Sequence, residues 1–161
     1  HLTQEDVATV EIELSRDPGH ESRPHPTSGL DGKFSFEYCA IIPLVTNPVG
    51  IDSFSDATRF TPAVDEALTK VSLRHNPAIG RGANALVTMK DGRMLKGECR
   101  DFRGSIRNPM TRDEHDVKYL DCAKRVLPPE DIDRVRDMVE NLESLADIRQ
   151  LIALLAPSPK V

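Results

Sequence analysis

The stretch "ALVTMKDGRMLKGECRDF", Ala85 to Phe102, constrains the fold more than any other. Apolar and polar residues alternate on both sides of Asp91-Gly92, and an Asp-Gly pair set between alternating runs is the strongest local signal for a β-hairpin. Antiparallel sheet is therefore part of this chain. Upstream, "EDVATVEIELS" places Val10, Ile12 and Leu14 in alternation with Glu11 and Glu13, the pattern of a strand with one wet face. "KVSLRH" predicts a further strand, so the sheet should be largely antiparallel.

Helical signals occupy the rest. Ser35 is placed to cap a helix running Phe36, Cys39, Ala40, Ile41, Ile42, Leu44 and Val45, with Glu37 complementing the positive end of its dipole. That helix is apolar almost all round and should be buried, while Pro43 should kink or shorten it. Thr61 and Pro62 stand at the cap and first position of a short helix. Thr111-Arg112-Asp113-Glu114 forms a capping box for a helix through Val117, Leu120 and Ala123 towards Val126. Another starts at Pro129 and should bury Ile132, Val135, Met138, Val139 and Leu142. A last one, capped by Ser144, presents Leu145, Ile148, Leu151, Ile152 and Leu155. A segregated sheet with helices packed on one face is an α+β fold.

At 161 residues the chain has the length of one domain, enough to bury roughly 70% of its unfolded surface. Hydrophobic residues make up 39% and aromatics 4%, with no Trp, so the core is aliphatic and order is expected until the last few residues. The net charge of -5 comes from 26 acidic and 21 basic side chains. With the basic residues scattered, neither nucleic acid nor an anionic membrane is an expected partner. Cys39, Cys99 and Cys122 match no zinc or redox spacing and read as buried thiols in a reducing cytoplasm. No run of about 18 apolar residues that could span a membrane is present.

Gly-rich phosphate loops and hydrolase motifs are missing; "GRG" at 80–82 reads as a flexible turn. His1, His20, His25, His75 and His115 lack the paired spacing of a metal site and read as solvated, so no metal and no cofactor are expected. Lys33, Arg107, Arg112 and Lys118 are cations able to hold carboxylates, though each alone also fits a solvated surface charge. The long loop Asp17 to Lys33 leads directly into the buried helix, and loops of that length are often functional. At the mouth of the helix, Tyr38 can aim its O–H into a cleft as a donor, or bond a backbone carbonyl at the edge of the core. Local pattern leaves both open.

"HPTSGLDGKFSFEYCAIIPLV" followed by "VTMKDGRMLKGECRDFRGSIRNPMTRDEHDVKYLDCA" resembles the C-terminal domain of the MmgE/PrpD family, which includes 2-methylcitrate dehydratase, cis-aconitate decarboxylase and iminodisuccinate epimerase. The resemblance rests on "KFSFEYC", the "DGR" hairpin and "NPMTRDE" followed by Lys118-Tyr119, in that order, and covers nearly the whole chain. Pro43 and "TNPVG" depart from the family pattern at the far end of the helix. The resemblance implies a two-domain, metal-independent lyase or isomerase acting on small di- or tricarboxylates by proton abstraction next to a carboxylate. Residues 1–161 would be its α+β lid, similar to chorismate mutase-like folds. A helical N-terminal domain carrying most acid/base groups would precede it, in a homodimeric full-length protein, and the abrupt opening of the chain beside its first strand fits that expectation. Tyr38 matches the family tyrosine reaching into the cleft and is the expected catalytic residue; Lys33 and His25 are the expected substrate-binding helpers. On this reading the isolated chain is inert. The competing class is a stand-alone α+β module that binds a small acid without chemistry.

Overall fold

The structure, a computed structural model, describes residues 2–19 and 22–156. The chain divides into two compact units, His1–Pro109 and Met110–Val161. His1, His20 and the segment after Ala156 lie outside the described residues, and with them two of the histidines and the expected fraying of the C-terminus.

The first unit is built on a four-stranded sheet. Its strands are β1 (Val7–Leu14), β2 (Val71–His75), β3 (Ala83–Met89) and β4 (Met94–Cys99), in the order β2-β1-β3-β4. The hairpin β3–β4 and the pair β1–β3 are antiparallel, while β2 joins β1 in parallel after a helical crossover. The fold is thus α+β with a mostly antiparallel sheet. At the hairpin, Met89 N–H donates to Arg93 C=O at 2.8 Å and Gly92 sits at φ +86°, a backbone region open to glycine at little cost.

Between β1 and β2 run α1 (Gly29–Gly32), α2 (Phe36–Val45), a 3-10 turn (Ile51–Phe54), α3 (Asp56–Arg59) and α4 (Pro62–Leu68). α2 packs on α4 and lies against β1 and β2, because the register puts Val10 and Val71 side by side under it. One cluster of buried residues joins Tyr38, Ile41 and Ile42 to Val64, Ala67 and Leu68. A second joins Val7, Val10 and Met89, with Leu44 packed against it. α2 is nevertheless not buried all round: Cys39 and Pro43 face outwards. The helix passes through Pro43 and closes at Val45. The loop from Asp17 is not wholly irregular either, since Ser28 caps α1 by accepting from Asp31 N–H at 3.0 Å. Thr61 holds the N-cap position of α4 and Pro62 opens the helix, as expected, but the Thr61 hydroxyl makes no cap bond and donates to the Thr58 carbonyl at 2.9 Å.

The second unit holds α5 (Arg112–Ala123), α6 (Pro129–Glu140) and α7 (Arg149–Leu155). The capping box of α5 is formed on both sides, with Glu114 N–H on the Thr111 hydroxyl at 3.3 Å and Thr111 N–H on the Glu114 carboxylate at 2.7 Å. Amphipathic pattern overstates burial here. Only Ala123, Val135 and Leu151 of these helices are buried, whereas Val126 is 80% exposed and Val117, Val139 and Leu142 are exposed as well. Ser144 ends a 3-10 turn and donates to the Asn141 carbonyl, and α7 begins at Arg149 without a side-chain cap.

Candidate functional site

The mouth of α2 is where polar groups are most deeply buried. Ser35 Oγ accepts from Tyr38 N–H at 3.0 Å, capping the helix, and donates to the Arg23 carbonyl at 2.7 Å. The Glu37 carboxylate does more than complement the helix dipole. Buried to 4% exposure, it accepts from the Ser22 hydroxyl at 2.7 Å and from Arg23 N–H at 2.9 Å. A buried carboxylate is tolerable only when its oxygens are satisfied this way. The result ties the long loop onto the helix.

Further anchors continue along the loop. The Asp31 carboxylate accepts from Thr27 N–H at 2.8 Å and pairs with Arg23, and these bonds, the backbone one foremost, hold its carboxyl below the usual range. Arg59 is 5% exposed; its Nε donates to the Pro26 carbonyl at 2.7 Å and its guanidinium pairs with Asp65 at 2.7 Å. Gly29 N–H donates to Asp56 at 2.7 Å. Any Cβ on Gly29 would lie 2.3 Å from the Phe54 carbonyl oxygen, so glycine is required by close backbone approach.

Tyr38 is 0% exposed, and its hydroxyl donates to the Ser53 carbonyl at 2.7 Å. Burial raises its pKa, so the phenol stays protonated as a donor. Ser53 is itself fixed, its Oγ accepting from Gly50 N–H at 3.0 Å and lying 2.8 Å from Thr46 Oγ1. Thus the tyrosine couples the start of α2 to the segment following its end.

Lys33 is exposed, with its Nζ 5.8 Å from the centroid of the Phe54 ring, and that ring lies 5.8 Å from the Tyr38 ring at a tilt of 44°. Tyr38 and Lys33 are therefore neighbours of one phenyl ring, the phenol inside and the ammonium outside. His25 is exposed on the same loop, next to the Pro26 carbonyl that Arg59 holds. Phe34 and Leu30 stand exposed beside them. The arrangement is a rigid rim with two cationic or proton-bearing side chains facing outwards and a saturated hydrogen-bond network beneath.

Elsewhere, Arg112 pairs with Glu140 in the second unit, and Arg107 and Lys118 are exposed. The three cysteines are exposed rather than buried, because the apolar patterns around them put neighbouring residues, not the thiols, in the core. Among the described residues no group of His, Cys, Asp or Glu could hold a metal ion, and no helix is long and apolar enough to cross a membrane. Sequence reasoning missed Arg59 and the anchoring role of Glu37. Their partners lie on other elements, and nothing in the local pattern marks them.

Comparison with known proteins places the chain. The profile of the MmgE/PrpD C-terminal domain matches residues 2–144. The chain is 31% identical over 144 residues to the cis-aconitate decarboxylase of Homo sapiens and 29% identical over 144 residues to that of Mus musculus. Each match covers 86% of this chain and 30% of the relative, so the chain spans about 30% of the length of the curated relatives it matches.

Proposed function

Since the chain belongs to the MmgE/PrpD family as its C-terminal domain, we propose that it is the lid of a cofactor-independent lyase acting on a small di- or tricarboxylate. cis-Aconitate is the first substrate to test, because decarboxylation of that acid is what the names of its relatives state. The loop from Ser22 to Ser35 forms the edge of the lid that meets substrate. One observation supports this reading: Lys33 and His25 face outwards on a loop otherwise locked by Glu37, Asp31 and Arg59.

In such a reaction the bond to one carboxylate carbon breaks, carbon dioxide leaves, and the electron pair left behind takes a proton. Developing negative charge is stabilised by cations and donors held in place beforehand. Lys33 supplies the charge for a retained carboxylate, and His25 a second donor. Tyr38 acts as donor on condition that its hydroxyl exchanges the Ser53 carbonyl for a substrate oxygen. Without that exchange it is a positioning residue that keeps the Lys33 rim in place. The acid that delivers the proton and the remaining groups come from a helical N-terminal domain.

The test is a pair of measurements. The purified chain should release no carbon dioxide from cis-aconitate; turnover by it alone would overturn the reading. In the full-length protein, Lys33→Gln should raise KM about tenfold, the worth of one charge-assisted contact, with a smaller change in kcat. Unchanged kinetics would remove the loop from the substrate. Binding of the acid by the chain, with no turnover in the full-length protein, would favour the binding module instead.

A further inference from the structure

Beside the first residue of α2, an open pocket of about 360 Å³ lies where β1 ends, β3 begins and β4 ends. Arg16, Arg81 and Arg100 line it together with Phe36 and Phe102, and none of the described residues that line it is acidic. Asp101 and Glu98 pair with Arg81 and Arg100 from beside the pocket.

The pocket is built, not incidental. Its floor is Gly82, at φ +90°, where any Cβ would fall 1.9 Å from the Cys99 carbonyl oxygen; the strands meet this closely only through glycine. Arg100 is fixed by the Ala83 carbonyl at 3.1 Å, Asn84 Oδ1 at 2.7 Å and Glu98 at 3.0 Å. Arg81 is held by the Arg100 carbonyl at 3.2 Å through Nε and by Asp101 at 2.9 Å through Nη2. The buried Asp101 oxygen meets Arg81 as a charge pair without hydrogen-bond geometry. A guanidinium has five N–H donors in a fixed fork, so Arg81 keeps its Nη1 edge for a ligand. Arg16 sits 5.5 Å above the Phe36 ring, in the range of a cation–π contact. Phe102 is 69% exposed, a free apolar wall facing fixed cations.

We propose that this pocket binds an organic anion, with a flat apolar body against Phe102 and a carboxylate or phosphate on the Nη1 edge of Arg81. Apolar walls with a few convergent polar groups are the usual make-up of a small-molecule site, and the fork of arginine suits both oxyanions. The proposal is independent of the lyase reading, since it involves neither Lys33, His25 nor Tyr38.

Titration of the chain with 2-naphthoate, adenosine monophosphate and inorganic phosphate tests it, with amide NMR shifts reporting the place. Both organic anions should bind and move the Gly82 and Cys99 amides, and inorganic phosphate, lacking the apolar body, should bind at least about tenfold more weakly. Preference for naphthoate or for the nucleotide identifies the oxyanion. Arg81→Gln should weaken binding roughly tenfold. Phe102→Ala should weaken the organic anions alone, which keeps the proposal testable if Arg81→Gln unfolds. Silence of all three probes, phosphate binding as well as the organic anions, or full binding by both variants would overturn it.

Discussion

The α2 mouth and the second unit make opposite uses of similar apolar content. At the mouth, Tyr38, Ile41 and Ile42 are closed off from water, and the buried polar groups Ser35, Glu37 and Arg59 each have partners from a distant segment. In the second unit three helices with well-formed amphipathic spacing bury one residue apiece, and Val117, Val126, Ile148 and Ile152 remain exposed. Helices held by local signals need little from the rest of the chain. A loop held by buried hydrogen bonds depends on all of it, since each lost partner leaves a desolvated group behind.

The widest separation between the regions should come from truncation. Tyr38→Ala opens a cavity in a fully buried site and should cost about 3–5 kcal/mol, as for other large aromatic truncations. Val126→Ala, at an 80% exposed position, should stay within about 0.5 kcal/mol. Chemical denaturation of both variants checks this, and similar losses would erase the contrast.

A finer cut is Tyr38→Phe, which keeps the ring and orphans the Ser53 carbonyl. Stability should fall by about 1–3 kcal/mol. In the full-length protein the same variant separates two roles for the hydroxyl. If it donates to substrate in the transition state, kcat and kcat/KM should fall together by about 10²-fold or more. Near-normal kinetics with a lowered melting temperature would make Tyr38 a positioning residue.

The smallest expected effect is acid loosening of the loop. The folded-state pKa of Asp31 lies below its unfolded value of 3.8, so the unfolded chain binds the proton first. The stability this group contributes is complete above that value and is lost as pH falls through the folded pKa. Amide exchange at Thr27 should therefore accelerate relative to α5 amides below about pH 4, and Asp31→Asn should remove the difference. A pH-independent ratio would show that the carboxylate is not the anchor.

What could be read in the sequence divides along the same line. Alternation around Asp91-Gly92, the Thr111–Glu114 box and the Ser35 cap are local, and each is present with its expected partners. Thr61 stands at the N-cap of α4 without a side-chain cap bond and Ser144 caps no α-helix; each hydroxyl donates to a carbonyl three residues back, a choice spacing cannot reveal. Tyr38 was read as either cleft donor or core edge, and the Ser53 carbonyl that takes its proton lies across a turn whose path the pattern around "TNPVG" did not define. For Arg59 and Glu37 the determining contacts are with Pro26, Ser22 and Arg23, where composition carries only the message of a loop.

The strand order has a consequence for how the chain is made. β1 is first in sequence yet central in the sheet, bonded on one side to β2 and on the other to β3. Both of its partners follow it in the chain, so one edge stays open until β2 has been made and the other until β3 has. Non-local pairing of this kind slows folding and leaves unpaired edges exposed to other chains. The charges of Glu11 and Glu13, in the second half of this strand, make it a poor template for a neighbouring nascent chain during that wait.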